Sequence, residues 1–166
     1  MRSSKGFNPD AYVEAINYSV ANNINLDEAL AWSDYAMNGV FVGQKNFKTL
    51  SARAAVLNKL GRNKEADSLM KVAMPMANVQ ELHQYGRQLI RSKRPAEALA
   101  AYKLNAQKNP DNFTTMVGLV RGYSATGDYK NALKQARVAL GKAPDKGNKD
   151  NLEAMIKKLE EGKDVN

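Results

Sequence analysis

The stretch TGDYKNAL (Thr126–Leu133) decides the fold, because its layout of a turn, a few polar residues and then an alanine recurs along the chain. Three further stretches have this layout: INLDEAL (Ile24–Leu30), GRNKEAD (Gly61–Asp67) and KRPAEAL (Lys93–Leu99). The alanines that align are spaced by 37, 32 and 34 residues: Ala29, Ala66, Ala98 and Ala132. A layout that recurs at this period indicates internal structural repeats.

Apolar residues at helical spacing flank each of these turns. Before the last turn they are Phe113, Met116, Leu119, Val120 and Tyr123, and after it Leu133, Ala136, Ala139 and Leu140. Each unit is therefore predicted to be two antiparallel helices, with the small alanine where they approach closely. The alternating pattern typical of strands is absent. Because each hairpin exposes an apolar side that only the next hairpin covers, we expect an all-α fold, an α-solenoid.

The unit 113–146 resembles the tetratricopeptide repeat (TPR), whose pattern is 34 residues long. Its matching residues are Met116, Leu119, Tyr123, Gly127, Tyr129, Ala132, Ala139 and Pro144. The units 79–112 and 47–78 keep fewer of these positions, and the unit 10–43 keeps the fewest. The resemblance implies a right-handed solenoid of about four TPR-like helix hairpins, whose first helices line a concave groove. It implies no chemistry.

The predicted organisation has three parts. An N-terminal tail, 1–9, precedes the repeats, 10–146, and a C-terminal segment, 147–166, follows them. Within that last segment, LEAMIKKLEEG (Leu152–Gly162) is amphipathic, so it is predicted to be a helix that caps the last repeat. The final residues KDVN (Lys163–Asn166) are expected to be frayed.

The chain also resembles the carboxy-terminal repeat region that longer bacterial proteins attach to a β-rich domain of uncharacterised function. That resemblance implies a piece of a larger protein of the cell envelope. The sequence shows no cysteine, no apolar run long enough to span a bilayer and no secretory h-region. We therefore expect a soluble region and leave its compartment open between periplasm or envelope and cytoplasm, and its oligomeric state open too.

The charge is uneven along the chain. The net charge is +8, with 2 bases and 5 acids in residues 1–43 and 23 bases and 12 acids in residues 44–166. An acidic start followed by a basic body favours acidic partners. The alternative is that this charge only solubilises the surface, because the bases are interspersed with acids.

No catalytic set is visible. His83 is the only histidine, so neutral-pH base catalysis would rest on this one residue and no two-histidine metal site is available. The glycines of GLVRGYSATG (Gly118–Gly127) lie in a helical pattern rather than between a strand and a helix, which argues against a phosphate loop. We predict no catalytic, cofactor-binding or metal-binding residues.

The family's pattern implies which residues face the groove. The candidate binding residues are Lys48, His83, Gln84, Arg87, Arg91 and Arg121. Arg87 and Arg121 occupy the same position of successive repeats, so together they could hold a carboxylate. The alternative is that they only solvate an exposed face. The lysine and asparagine set with which this family grips carboxylates is not reproduced, which argues against the binding of chaperone tails.

These observations predict a non-enzymatic module that binds a protein or peptide, with acidic groups, in its groove. The alternatives are an accessory region of an enzyme or of an envelope assembly, or an enzyme active through His83. Nucleic acid is disfavoured as a partner, because no aromatic residues are interleaved with the bases between Arg87 and Arg94.

Overall fold

The computed structural model describes residues 9–166, and all the regular structure in that range is helical. The helices are α1 (Asp10–Asn22), α2 (Leu26–Asn38), α3 (Phe47–Lys59), α4 (Asn63–Ala73), α5 (Val79–Arg91), α6 (Pro95–Lys108), α7 (Phe113–Ala125), α8 (Tyr129–Leu140) and α9 (Lys146–Glu160). A short 3-10 turn, Met74–Met76, follows α4. The predicted all-α fold class is confirmed. The N-terminal tail lies almost wholly outside the described residues.

The chain divides into two compact units, Met1–Ala77 and Asn78–Asn166, called here the first and the second unit. In the first unit α1 packs on α2 and α3 on α4, and α3 also contacts α1 and α2. In the second unit α5 packs on α6 and α7 on α8, while α7 also contacts α5 and α6, and α9 packs on α8. Four successive helix hairpins and a C-terminal helix are the organisation predicted for a solenoid of this class.

Polar residues before the helices explain where several of them begin. The side chain of Asn46 accepts a hydrogen bond from the Thr49 backbone N–H, and Asn78 does the same for Glu81. In both cases the third helical residue bonds back to the cap, so both caps are capping boxes. Asp145 caps α9 in a similar way through Asn148. These bonds satisfy backbone donors that a helix start leaves without a partner.

The repeated alanines lie at the centres of the helix pairs. The four alanines that align have no solvent exposure: Ala29, Ala66, Ala98 and Ala132. Seven residues later, three of the four hairpins have another fully buried alanine, whereas the third hairpin has Asn105. The Asn105 amide donates to the carbonyl of Val79 at 2.8 Å. That bond explains how a polar side chain is tolerated where an alanine is usual.

The helix α9 covers the last hairpin. Leu152, Met155 and Leu159 are buried and join the apolar cluster of α7 and α8, which includes Met116 and Val120. The opposite face of α9 carries exposed charged residues. This is the arrangement expected of a terminal element that shields an apolar core from water.

The last residues differ from the expectation that they fray. Val165 is buried in the apolar cluster that α9 covers, and its backbone N–H donates to Ser124 Oγ at 3.0 Å. Ser124 Oγ in turn donates to Asp164 Oδ1 at 2.7 Å. Gly162, with a φ of 69°, turns the chain back toward α7. The prediction was wrong because it considered the terminal position of the segment and not the docking of one apolar side chain.

Candidate functional site

Two arginines lie on neighbouring helices of the second unit. Arg87 is on α5 and Arg121 on α7, and these helices pack against each other. Both side chains are partly buried. Within residues 9–166, no carboxylate forms an ion pair with either guanidinium. Within the described residues these two cations therefore form a positive site without an ion-paired acid.

Tyr102, on α6, lies beneath these two helices. A Cβ atom added to Gly86 would come within 2.5 Å of Tyr102 Cζ, and one added to Gly118 within 2.6 Å of Cδ1. A Cβ atom added to Gly122 would lie 2.9 Å from Cδ2, on the other edge of the ring. The glycines of α5 and α7 therefore leave the space that the aromatic ring fills. The ring is fully buried, and its hydroxyl has no hydrogen-bond partner among the described residues.

His83 lies one helical turn before Arg87 and contacts the same tyrosine. The centroids of the His83 and Tyr102 rings are 5.7 Å apart and the rings are tilted by 55°. His83 Nδ1 is buried and, like the Tyr102 hydroxyl, has no partner in the part of the chain that the structure describes. We call Arg87, Arg121, His83 and Tyr102 the cationic cluster.

The groups of the cationic cluster influence each other's protonation. Burial lowers the pKa of His83 and both arginines lower it further, while the backbone of Thr114 raises it. Burial raises the pKa of Tyr102 to about 12, against the opposing effect of the two arginines. Burial also lowers the pKa of Arg121, with Tyr102 opposing and Arg87 adding to the decrease. Near neutral pH the cluster therefore contains two charged guanidiniums, a neutral imidazole and a neutral phenol.

The C-terminal residues lie at one side of the cluster. The Asn166 amide donates to the backbone carbonyl of Arg121 at 3.1 Å, and Arg121 Nη1 lies 3.5 Å from Asn166 Oδ1. Burial alone would raise the pKa of Asp164, but hydrogen bonds from Ser124 and Asn166 hold it below its ordinary value. The negative charge of Asp164 raises the pKa of Arg121, although the two groups form no ion pair. It partly offsets the positive charge at this side.

The other predicted groove residues lie outside the cluster. Gln84 and Arg91 are exposed on α5. Lys48 belongs to the first unit, where its Nζ lies 3.6 Å from the Asp10 carboxylate. The first unit also contains Arg53, whose Nη1 donates to Ser33 Oγ at 3.1 Å and lies 3.7 Å from Asp34 Oδ1.

Tyr102 is the member that sequence reasoning missed as a site residue. The repeat pattern assigns it to the core, and the structure does bury its ring. The missing signal was the combination of a tyrosine on one helix with three glycines on the two helices that pack against it. No group of three or more metal-binding side chains occurs in residues 9–166.

The fold and the site define a class of protein: an all-α chain of successive helix hairpins that carries a cationic cluster in its second unit. No family model matches the sequence, and no curated protein is significantly similar to it. One solved structure, of MamA MSR-1 C2, is similar over 93% of this chain and 95% of that one. At 15% identity and a TM-score of 0.47, it carries no weight here, and the fold class rests on the helices described above.

None of the helices in the described range combines the length and the apolar character that crossing a bilayer requires.

Proposed function

We propose that the chain is a non-enzymatic protein-interaction module, and that its second unit binds an acidic segment of a partner protein on the face of α5 and α7. The observation that supports this most directly is the pair Arg87 and Arg121, which are partly buried on adjacent helices without an ion-pairing acid of their own in the described chain. Taking part of a guanidinium out of water is costly when no ion pair compensates it. An acidic ligand would reduce that cost and gain charge-assisted hydrogen bonds.

The test measures binding of a short, fluorescently labelled peptide rich in glutamate. Each charge-assisted contact is typically worth about 1.5–3 kcal/mol, so Arg87→Ala with Arg121→Ala should weaken binding about a hundredfold or more. Binding should also weaken as salt rises, because salt screens the exposed part of the interaction.

The matched control removes the same charge elsewhere in the second unit. Lys130 and Lys134 are exposed on α8 and belong to no contact of the cluster. Replacing both by alanine should change peptide affinity only slightly. Equal losses in the two double variants would mean that the net charge, and not the site, attracts the peptide. No binding of any acidic peptide would contradict the proposal itself.

The rival function is an enzyme, or an accessory region of one, that acts through His83. His83 Nδ1 is buried and the ring contacts Tyr102, so a substrate would have to reach the imidazole from the face of α5 and α7. Assays with ester, phosphoester and glycoside substrates separate the two functions. Turnover that disappears in His83→Ala would overturn the interaction module.

The partner itself has to be captured from the native organism's extract. The wild-type chain should retain a protein with an acidic segment, and the chain with Arg87→Ala and Arg121→Ala should lose it. The same experiment tests whether this partner belongs to an enzyme or to an assembly of the cell envelope.

A further inference from the structure

We infer that the Tyr102 hydroxyl is a ligand-binding group, and that the cationic cluster accepts a phosphoryl group carried by the partner segment. This inference rests on the proposed function and narrows its ligand to one chemical class. It starts from a polar atom that the fold buries without a partner.

A buried hydroxyl without a hydrogen bond is unusual and costly. Tyr102 has no exposed surface, and its hydroxyl has no partner in residues 9–166. In native proteins such groups are rare, and leaving one unsatisfied costs free energy. The phenylalanine that differs from tyrosine only by this oxygen would fill the same space between Gly86 and Gly118. A tyrosine at this position therefore has an explanation if the hydroxyl donates to a ligand.

The ring that carries this hydroxyl packs against the two helices that carry the arginines and against the His83 ring. The ring lies directly under α5 and α7, the helices that carry Arg87 and Arg121. His83, whose Nδ1 is buried without a partner, stacks at an angle against the same ring. The polar groups of the cluster thus come from three helices of one unit: α5, α6 and α7.

The number and charge of these groups fit a phosphoryl group better than a carboxylate. A carboxylate carries one negative charge and two oxygens, whereas a phosphorylated side chain carries about −1.5 to −2 charges and three strong acceptor oxygens. Two guanidinium forks and a phenol offer more donors than one carboxylate would use. A dianion would also balance the charges of both arginines, since within the described chain neither has an ion-paired acid.

The ligand has to reach a covered atom. Because the hydroxyl has no exposed surface, binding requires that the side chains covering it move aside and let the anion in. On the side of Arg121, the carboxylate of Asp164 opposes an incoming anion. Asp164→Asn keeps an oxygen that can accept from Ser124 and removes the charge, so this variant should bind the phosphopeptide several-fold more tightly.

The experiment compares three labelled peptides that differ at one central residue: phosphoserine, glutamate or serine. The wild-type chain should bind the phosphoserine peptide about tenfold or more tightly than the glutamate peptide, because the phosphoryl group has more negative charge and one more oxygen that can accept a hydrogen bond. Tyr102→Phe should remove most of that preference and leave affinity for the glutamate peptide unchanged. Its melting temperature should not fall, because the hydroxyl has no partner in the free protein.

The outcomes separate this inference from the proposed function. A glutamate peptide that binds as tightly as the phosphoserine peptide, or a Tyr102→Phe variant with the wild-type preference, overturns the phosphoryl site while arginine-dependent binding of acidic peptides still stands. Failure of all acidic peptides to bind overturns both. Inorganic phosphate that competes at the concentration of the phosphoserine peptide, or an RNA oligonucleotide that binds more tightly, would overturn the assignment to a phosphorylated protein segment.

Discussion

The two units use the same helix hairpins, but Arg53 of the first unit has an ion-paired acid, whereas Arg87 and Arg121 of the second unit have none in the described chain. In the first unit Arg53 is partly buried and engaged, through Ser33 Oγ, the Leu30 carbonyl and the carboxylate of Asp34. In the second unit Arg87 and Arg121 are also partly buried, yet they have no ion-paired acid in the described chain. Arg53 is therefore held by groups of its own unit, whereas Arg87 and Arg121 are the residues that we propose bind a ligand. The repeat architecture does not decide between the two roles.

The cores beneath these arginines also differ. Counted from the repeated alanine, the first unit has Ala54 and Met70 where the second has Gly86 and Tyr102, and all four residues are buried. The pairs conserve volume approximately, since a smaller residue on the first helix faces a larger one on the second. Only the pair of the second unit brings a polar oxygen into the core. In the second unit the small Gly86 leaves room for the Tyr102 ring, which belongs to the cationic cluster.

The largest expected effect on stability comes from replacing Gly86 of the second unit by alanine, the residue at the matching position of the first unit. In Gly86→Ala the new Cβ would lie 2.5 Å from the Tyr102 ring, so the helices must separate or the ring must shift. Overpacking of this kind should lower the free energy of unfolding by about 1–3 kcal/mol, measured by urea denaturation.

The double variant Gly86→Ala with Tyr102→Met copies the pair Ala54 and Met70 and sharpens the comparison. It should recover most of the stability that Gly86→Ala loses, because the flexible methionine can give way to the methyl group. If the double variant is no more stable than Gly86→Ala alone, the size exchange does not explain the difference between the units.

A second prediction tests whether the docked C-terminal segment stabilises the second unit. Val165→Ala removes buried apolar surface and should reduce the free energy of unfolding by about 1.5 kcal/mol, since each buried CH₂ contributes about 0.8 kcal/mol. Lys163→Ala, at an exposed position of the same segment, should have almost no effect. Equal melting curves for wild type and Val165→Ala would mean that the C-terminus is frayed, as the sequence predicted.

A third effect uses pH to probe Tyr102, a residue whose counterpart in the first unit, Met70, does not titrate. The folded-state pKa of Tyr102 is raised from 10.0 to about 12, so above pH 10 the unfolded chain loses the phenol proton before the folded chain does. Stability should therefore fall as pH rises, by about 1 kcal/mol at pH 11 relative to Tyr102→Phe. Parallel pH profiles for the two proteins would show that this hydroxyl is not buried.

The smallest effect compares the arginines directly. Arg53→Ala removes hydrogen bonds to Ser33 and to the Leu30 carbonyl and should reduce the free energy of unfolding by about 0.5–1.5 kcal/mol. Arg87→Ala should leave stability almost unchanged, because this guanidinium has no ion pair to lose in the described chain. In peptide binding the order should reverse. A loss of stability in Arg87→Ala as large as that in Arg53→Ala would remove the contrast between the units.

The prediction from sequence succeeded for the helix hairpins, and the predicted site stays a prediction. Ala66 and Ala132 were expected at the helix crossings, and both are fully buried. The site was predicted as one series of residues that included Lys48, but Lys48 belongs to the first unit and pairs with Asp10. Sequence reasoning did not single out Tyr102, because the burial of its hydroxyl depends on how three helices pack.

What the sequence determined by itself are the properties that neighbours along the chain control. Helical periodicity, the alanines, and the polar residues that cap helices act within one or two turns of a helix, so they can be read without coordinates. They predict the hairpins and their order.

Only the tertiary structure decided which charged groups find partners. Arg121 meets Asn166, which lies 45 residues further along the chain, and Ser124 binds Asp164 across 40 residues. Whether Arg87 has an acid near it, and whether the Tyr102 hydroxyl has an acceptor, depends on how three helices pack within a few ångströms. Hydrogen bonds and ion pairs weaken steeply with distance and angle, so the availability of a buried polar group for a ligand follows from packing and not from the pattern of residues.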